Sequence, residues 1–182
     1  MNRFLKVKSC LAALNHSCLS SDDFQDKLVI QRIVYLLQMK GIKFNYSFNL
    51  YVRGPYSPDL TKDIYAHSDE LKHLDSNEAL SKDDLRMIQD FSKIVELSPS
   101  QLEVAVRYAF FAFERHQDVA TAIANVRGIK GFYPESQIAS GISRAKRLLY
   151  EPTKDELEQL RKEAEPWELA SDSDGSNDDG QA

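Results

Sequence analysis

Residues 27–65 read KLVIQRIVYLLQMKGIKFNYSFNLYVRGPYSPDLTKDIY, and they decide the fold because they combine the densest apolar sequence of the chain with its clearest turn signals. Apolar residues recur at helical spacing through the first half and cover a wide arc, which predicts a central helix that is covered on most sides. Gly41 is the expected C-terminal stop of this helix. Ser21 is its expected N-cap, with the helix beginning near Asp22. The narrow opposite face holds Lys27, Gln31, Tyr35 and Gln38.

An alternating segment follows the helix. Apolar residues from Tyr46 to Val52 alternate with their neighbours, and a period of two predicts one half-buried strand. Because a single strand leaves its backbone groups unpaired, a second strand must come from this chain or from a partner. The sequence GPYSP at 54–58 predicts a tight turn that ends the strand.

The turn leads into a short helix. Ser57 is its expected N-cap and Pro58 its expected first residue. Leu60, Ile64 and Tyr65 are expected to face inward from it.

Further helical stripes lie on both sides of this stretch. They predict an amphipathic helix over 2–17 and helices over 82–97, 99–115, 118–127 and 135–149. Leu85 and Val119 are among the residues expected to face inward, and Ser81 is the expected N-cap of the helix over 82–97.

The fold class predicted from these elements is mainly α (α+β). We expect a compact bundle of six or seven helices with a small β-hairpin or single short sheet near residues 44–53. One domain is expected over 1–151 and an acidic tail over 152–182. The tail should begin as a charged helix with a Thr153–Glu156 capping box, and 171–182 should be disordered because they carry almost no apolar residues.

The acidic character of the chain is concentrated in the tail. The formal net charge is −5, and three basic and ten acidic residues from Pro152 onward give −7 there and +2 over residues 1–151. Such a near-neutral body neither demands nor forbids nucleic acid. No apolar run has the length of a membrane span, and the N-terminal segment lacks the continuous apolar region of a signal peptide. Two cysteines without disulfide or zinc spacing favour the cytoplasm.

Motifs of catalysis are not evident in the sequence. His16, His67, His73 and His116 lack metal-ligand spacing, no Gly-rich phosphate loop is present, and no carboxylates pair within an apolar setting. We therefore expect no enzymatic activity, no metal site and no cofactor.

The turn region is the first candidate interaction surface. Tyr51, Arg53, Tyr56 and Asp59 combine residue types that are enriched at interface hot spots. We predict that they bind a partner protein. The alternative is that both tyrosines only cover the body and Arg53 pairs with a local acid.

The helices over 118–149 are the second candidate. Gln137, Ser140, Arg144 and Arg147 are spaced to share one face of the last helix, and two helices joined by a short Gly-containing turn can form a helix-turn-helix that binds DNA. The alternative is a solvated basic face near the acidic tail.

A family resemblance adds to this interpretation. The strings LYVRGPYSPDL (50–60) and IKGFYPESQIASGISRAKRLL (129–149) resemble YwgA-like proteins and, more distantly, the Panacea antitoxin domain with its SocA-like members. The resemblance covers residues 24–150. Panacea domains carry an aromatic residue just before the Gly-Pro where this chain has Arg53, which places it nearer the YwgA-like branch. The other matching positions are Leu28, Gln31, Ile33, Tyr35 and Leu36 in the helix, the strand Phe48–Val52, and Gly54, Pro55, Tyr56, Ser57 and Tyr65.

The resemblance implies a small helical domain that acts by binding other proteins. On this basis we expect a non-catalytic, cytoplasmic module, antitoxin-like or an adaptor, whose partner is a toxin or a protease client. The alternative hypothesis is a DNA-binding transcriptional regulator that uses the element at 118–149. Oligomeric state does not follow from the sequence.

Overall fold

The central helix α2, Phe24–Lys40, is buried along its middle. The computed structural model describes residues 3–14, 23–71, 80–94, 99–159 and 161–162. Every residue over 30–37 is buried, as the wide apolar arc predicts. The helix starts one residue beyond Asp23, whose Oδ1 accepts hydrogen bonds from the Gln25 and Asp26 amides at 2.6 and 3.1 Å. The predicted start near Asp22 with a Ser21 cap is therefore corrected, because the Asp23 carboxylate takes the capping role.

The strand after α2 pairs within the chain. Strand β1, Asn49–Tyr51, is antiparallel to β2, Gly54–Tyr56, with Leu50 opposite Pro55. The predicted strand was too long, and the Gly-Pro segment predicted as a turn is the second strand. The turn falls at Val52 and Arg53 instead, which leaves Val52 88% exposed.

The residues before β1 alternate in burial without forming a ladder. Over 42–47 the even positions are buried and the odd ones exposed. The Gln38 amide replaces a neighbouring strand, since it accepts from the Tyr46 N–H at 3.0 Å and donates to the Tyr46 carbonyl at 2.8 Å. The alternating pattern thus reports packing against a helix rather than a longer sheet.

Helix α3, Pro58–Ala66, begins as predicted. The Ser57 hydroxyl accepts from the Leu60 amide at 3.3 Å, and Leu60 and Ile64 are fully buried. Tyr65 is 57% exposed and does not face inward, because it lies one position beyond the buried stripe and faces α2 at the surface.

Three shorter helices flank this centre: α1, Arg3–Ala13; α4, Ser68–Leu71; and α5, Lys82–Ser92. Helix α5 opens with a capping box in which Ser81 and Asp84 bond each other's backbone amides, which confirms the predicted cap. Leu85 is half exposed, contrary to prediction, because the stripe through Asp84, Ile88 and Phe91 is the one that packs inward.

The region over 99–149 is built on α6, Pro99–Ala109. This helix packs most extensively against α8, Glu135–Leu149. A close approach of the two helices occurs at Gly141, where a Cβ atom would lie 2.7 Å from the Gln101 carbonyl oxygen and from Val104. Helix α8 has the predicted bounds, while Gly141 was not predicted as a packing residue.

The helix predicted over 99–115 changes character before its end. Residues Phe110–Glu114 form a π-helical segment, and α7, Val119–Lys130, follows. Helix α7 continues past Gly128, whereas the predicted helix over 118–127 ends before it. Val119 is half exposed rather than inward, because it is the first residue of the helix.

The chain divides into two units, Met1–Leu149 and Tyr150–Ala182. The mainly α class with one small antiparallel hairpin is confirmed. In the second unit, residues 154–159 and 161–162 are helical, and Thr153 and Glu156 form the predicted capping box. The prediction of disorder over 171–182 concerns residues outside the described ranges. Across the described ranges no helix is both long and apolar enough to cross a membrane.

Candidate protein interface at the hairpin

A groove of about 100 Å³ lies beside the hairpin, between the first turns of α2 and the outer face of α3. Phe24 and Tyr65, 52% and 57% exposed, stand on its walls. The Lys27 ammonium donates to the Tyr65 hydroxyl at 2.9 Å and lies 4.8 Å from the centre of that ring. Two half-exposed aromatic rings are therefore held next to a cation at the surface. The remaining lining residues are Leu28, Gln31, Tyr56 and Thr61.

The predicted residues of the hairpin extend this groove. Tyr51 is half exposed, and its ring meets that of Tyr56 edge to face, with centroids 5.4 Å apart. The Arg53 guanidinium lies 4.9 Å from the centre of the Phe24 ring, so the hairpin turn and the start of α2 form one surface. Asp59 is exposed on α3 and pairs with Lys62 at 3.6 Å. The structure thus brings together Tyr51, Arg53 and Tyr56, while Asp59 pairs on its own helix.

Four members of this surface were not predicted from the sequence. Phe24 and Lys27 precede the apolar stripe of α2, and Val52 and Tyr65 were assigned to inward faces. The signal for Val52 was the Gly-Pro that follows it, because proline is tolerated in edge strands and near the start of a strand, so a second strand can begin there and leave Val52 in the turn. We define the hairpin surface as Phe24, Lys27, Tyr51, Val52, Arg53, Tyr56 and Tyr65.

The hairpin surface is braced from below by two buried side chains. The Gln31 amide accepts from the Ser57 N–H and donates to the Ser57 carbonyl, both at 3.0 Å, and donates to the Thr61 hydroxyl at 2.9 Å. At the other end the Arg107 guanidinium donates to the Val52 carbonyl. Side chains displayed on a fixed backbone lose less conformational freedom on binding, so this bracing favours recognition by the exposed groups.

Arg107 belongs to a buried charged cluster behind the hairpin. Glu103 on α6 accepts from the Arg32 guanidinium at 2.9 Å and from the Tyr133 hydroxyl at 3.2 Å. It also forms an ion pair with Lys130 and lies 3.7 Å from the nearest Arg107 nitrogen. All four charged residues are at least nine-tenths buried. We call Arg32, Glu103, Arg107, Lys130 and Tyr133 the basic cluster.

The basic cluster holds one negative charge against three positive ones. Burial raises the pKa of Glu103, but the hydrogen bond from Lys130 and the charges of Arg32 and Lys130 outweigh this and leave its pKa below the ordinary value. Glu103 is therefore ionised at neutral pH and acts as an acceptor. Burial is the main cause that lowers the pKa of Arg32 and of Arg107, since desolvation disfavours the charged form.

The predicted nucleic-acid face is largely covered. Gln137, Ser140 and Arg144 are half-buried, and Arg147 is exposed. A larger groove, about 300 Å³, opens on a different side of α8, toward α7, and the Arg127–Glu135 ion pair lies along it. The structure therefore does not collect the four predicted side chains at that groove.

The described residues give no support for a metal site or for a reactive cysteine. Among them, no group of three or more His, Cys, Asp or Glu side chains is placed to hold a metal ion. Cys10 is buried, and burial raises the pKa of its thiol to about 12. A thiol with so high a pKa is a poor nucleophile at neutral pH.

No protein-family model, curated protein or solved structure matches the chain. The resemblance to YwgA-like and Panacea domains therefore stays a prediction from the sequence. The function has to be argued from the residues themselves.

Proposed function

We propose that this chain is a non-catalytic protein-binding module that acts by direct binding to a partner protein through the hairpin surface. The supporting observation is the group of exposed aromatic and aliphatic side chains around the hairpin. Phe24, Tyr51, Val52 and Tyr65 are each at least half exposed, although the unit has a core that could bury apolar groups.

The composition of the hairpin surface matches that of protein-binding sites. Tyr and Arg are enriched at interface hot spots, where an aromatic ring supplies contact area and its polar end supplies a hydrogen bond. Arg53 over Phe24 and Lys27 beside Tyr65 give the surface two cations already stacked on rings. An acidic side chain of a partner can pair with either cation, and an aromatic side chain can pack on either ring.

The finer assignment is an antitoxin-like or adaptor protein of the cytoplasm whose partner is a toxin or a protease client. The family resemblance supports it, and the mechanism it implies is occlusion. Once bound over the hairpin surface, the module covers the part of the partner that acts on other molecules. The acidic tail adds long-range attraction toward a basic partner.

The direct test is capture of partners from the cells that produce the protein, with nuclease present, followed by mass spectrometry. Tagged wild type, Tyr56→Ala and Leu85→Ala are compared. Leu85 is a half-exposed apolar residue of α5 outside the hairpin surface and serves as the matched control. We expect one stoichiometric protein that is retained by the control and lost by Tyr56→Ala. Equal capture by all three proteins would contradict the proposed surface.

Co-expression tests the antitoxin assignment separately. The captured partner is expressed alone and together with the wild type or with Tyr56→Ala. If the chain is an antitoxin, co-expression of the wild type restores growth and co-expression of Tyr56→Ala does not. A partner that does not affect growth when expressed alone would exclude the antitoxin assignment and leave the adaptor one.

DNA binding is the alternative, and it predicts a different result. Without nuclease, the captured material would then absorb at 260 nm and contain no stoichiometric protein. The groove beside α8 is lined by none of the four side chains predicted to contact DNA, which supports protein binding over this alternative.

A further inference from the structure

In the part of the chain that the structure describes, the basic cluster carries more positive charge than its surroundings balance. Among these residues, Arg32, Arg107 and Lys130 face one carboxylate, that of Glu103, so the formal charge of the cluster is +2. The other acceptors of the two guanidinium groups are the backbone carbonyls of Pro99 and Val52, which are neutral. Buried charges are normally paired, and an unpaired one is costly.

Two donors of the cluster also lack acceptors. The Nε–H groups of Arg32 and Arg107 are buried and have no hydrogen-bond partner in the part of the chain that the structure describes. Most buried polar groups in proteins are hydrogen-bonded, so two orphaned donors on neighbouring cations need an explanation. The excess positive charge indicates a missing anion, and the two unmet donors show that the described residues do not fully satisfy these guanidinium groups.

The cluster reaches the surface at one side. The side chains of Lys130 and Glu103 retain 10% and 12% of their exposure. The Lys130 ammonium lies 5.1 Å from the ring centre of Phe132 and 5.7 Å from that of Tyr133. Phe132 itself is 70% exposed, so the ring beside the ammonium lies at the surface. Lys130 and the Tyr133 hydroxyl are therefore the groups that an incoming anion can reach.

We propose that the molecule binds an oxyanion, a carboxylate or a phosphate, at the Lys130–Tyr133 side of the basic cluster. The anion accepts a hydrogen bond from the Lys130 ammonium, and a second one from the Tyr133 hydroxyl when that hydroxyl rotates away from Glu103, to which it donates in the free protein. The charges of Arg32 and Arg107 attract it from behind, where no solvent screens them. Glu103 stays in place and orients all three cations. This site is separate from the groove of the hairpin surface and does not depend on the proposed function.

Two sources can supply this chemistry: a free anion such as inorganic phosphate, or the acidic side chains of another protein. Thermal unfolding in inorganic phosphate, in a short glutamate peptide and in chloride, at equal ionic strength, separates them. With a dissociation constant of about 5 mM, about 50 mM of the bound anion raises the unfolding temperature by about 4 °C. Stabilisation by both probes indicates a general oxyanion site. Stabilisation by the peptide alone indicates a protein carboxylate.

Matched variants tie the effect to the cluster. Lys130→Met should lose the stabilisation, whereas Lys43→Met, which removes an exposed lysine between α2 and β1, should keep it. Tyr133→Phe is the milder variant if Lys130→Met does not fold, and it should weaken phosphate or peptide binding several-fold. In the wild type, the bound probe should shift the amide resonances of residues 130–133. Equal stabilisation of wild type and Lys130→Met, or no stabilisation by either probe, would overturn the proposal. So would unchanged binding by Tyr133→Phe with no shifts at 130–133.

Discussion

Replacing Glu103 by Gln keeps the shape of the side chain and removes the negative charge of the basic cluster. The formal charge then changes from +2 to +3, and the acceptor of Arg32, Lys130 and the Tyr133 hydroxyl becomes a neutral amide. The amide also turns an N–H toward cations that can only donate. We therefore expect this variant to be among the most destabilising single substitutions in the first unit.

The magnitude follows from competing electrostatic terms. At an effective dielectric constant of 20, each of the three cations within about 4 Å attracts the carboxylate by about 4 kcal/mol, so the gross attraction is about 12 kcal/mol. Desolvation of the carboxylate offsets much of this. Removing one partner of a buried ion pair costs about 3–5 kcal/mol net, because the remaining charges stay buried and unpaired.

Urea denaturation followed by circular dichroism measures the loss. With a slope of about 2 kcal/mol per molar urea, the midpoint should fall by about 2 M. The control is Glu135→Gln, which breaks the exposed ion pair with Arg127 and should cost less than about 1 kcal/mol. A cost for Glu103→Gln no larger than that of the control would refute the argument.

The pH dependence provides a second check with a defined sign. Because the pKa of Glu103 is lowered in the folded state, its stabilisation is fully present above the unfolded-state pKa of about 4.5 and is lost as pH falls through the lower folded-state pKa. The difference in unfolding free energy between wild type and Glu103→Gln should be constant near neutral pH and should shrink toward zero in acid. A difference that grows on acidification would contradict the lowered pKa.

Three further variants, one of them a double substitution, test the fold and the two candidate surfaces. Gly141→Ala should destabilise by about 2 kcal/mol, since its Cβ would overlap α6, and this loss exceeds the gain of about 1 kcal/mol in helix propensity; thermal unfolding decides, and a higher midpoint would contradict the close approach. Gln31→Leu should leave the Ser57 N–H without a partner and its carbonyl with only the hydrogen bond from the Thr61 amide, at a cost of about 2 kcal/mol, and should speed amide exchange in the hairpin; unchanged exchange would show that the bracing is unimportant. Arg144→Ala with Arg147→Ala should leave partner capture unchanged, and loss of nucleic acid from the captured material would instead support the DNA-binding alternative.

Local sequence signals were sufficient to locate the main helices and some of their ends. Apolar spacing located α2 and the bounds of α8, and cap chemistry located the starts at Ser57 and Ser81. These features depend on residues within a few positions of each other. They are therefore visible without knowledge of the fold.

The hairpin shows where local signals fail. Gly54 and Pro55 are unfavourable strand residues, yet they pair with β1 because Gln31 and Arg107 hold the backbone on either side. Both braces come from other parts of the chain. If β2 is interpreted as a turn, Val52 falls on the apolar face of the predicted strand. The actual turn lies at Val52 and Arg53 and leaves Val52 exposed.

The basic cluster could not be predicted from spacing at all. Arg32 and Glu103 are 71 positions apart, and both lie within otherwise apolar helical sequence. The predicted helix over 118–127 leaves Lys130 in the turn that follows, but α7 continues through Lys130, and the side chain of Lys130 is buried. Only the packing of α2, α6 and α7 brings these charges together.

Affinity for the purified partner, measured by titration calorimetry, tests the central claim most directly. Phe24→Ala combined with Tyr65→Ala removes both exposed walls of the groove while leaving the buried core intact. At about 2 kcal/mol for each hot-spot residue, about 4 kcal/mol for both, binding should weaken by roughly three orders of magnitude, whereas Leu85→Ala should bind as the wild type does. Equal affinity for all three proteins would show that the partner binds elsewhere and would contradict the assignment of the hairpin surface.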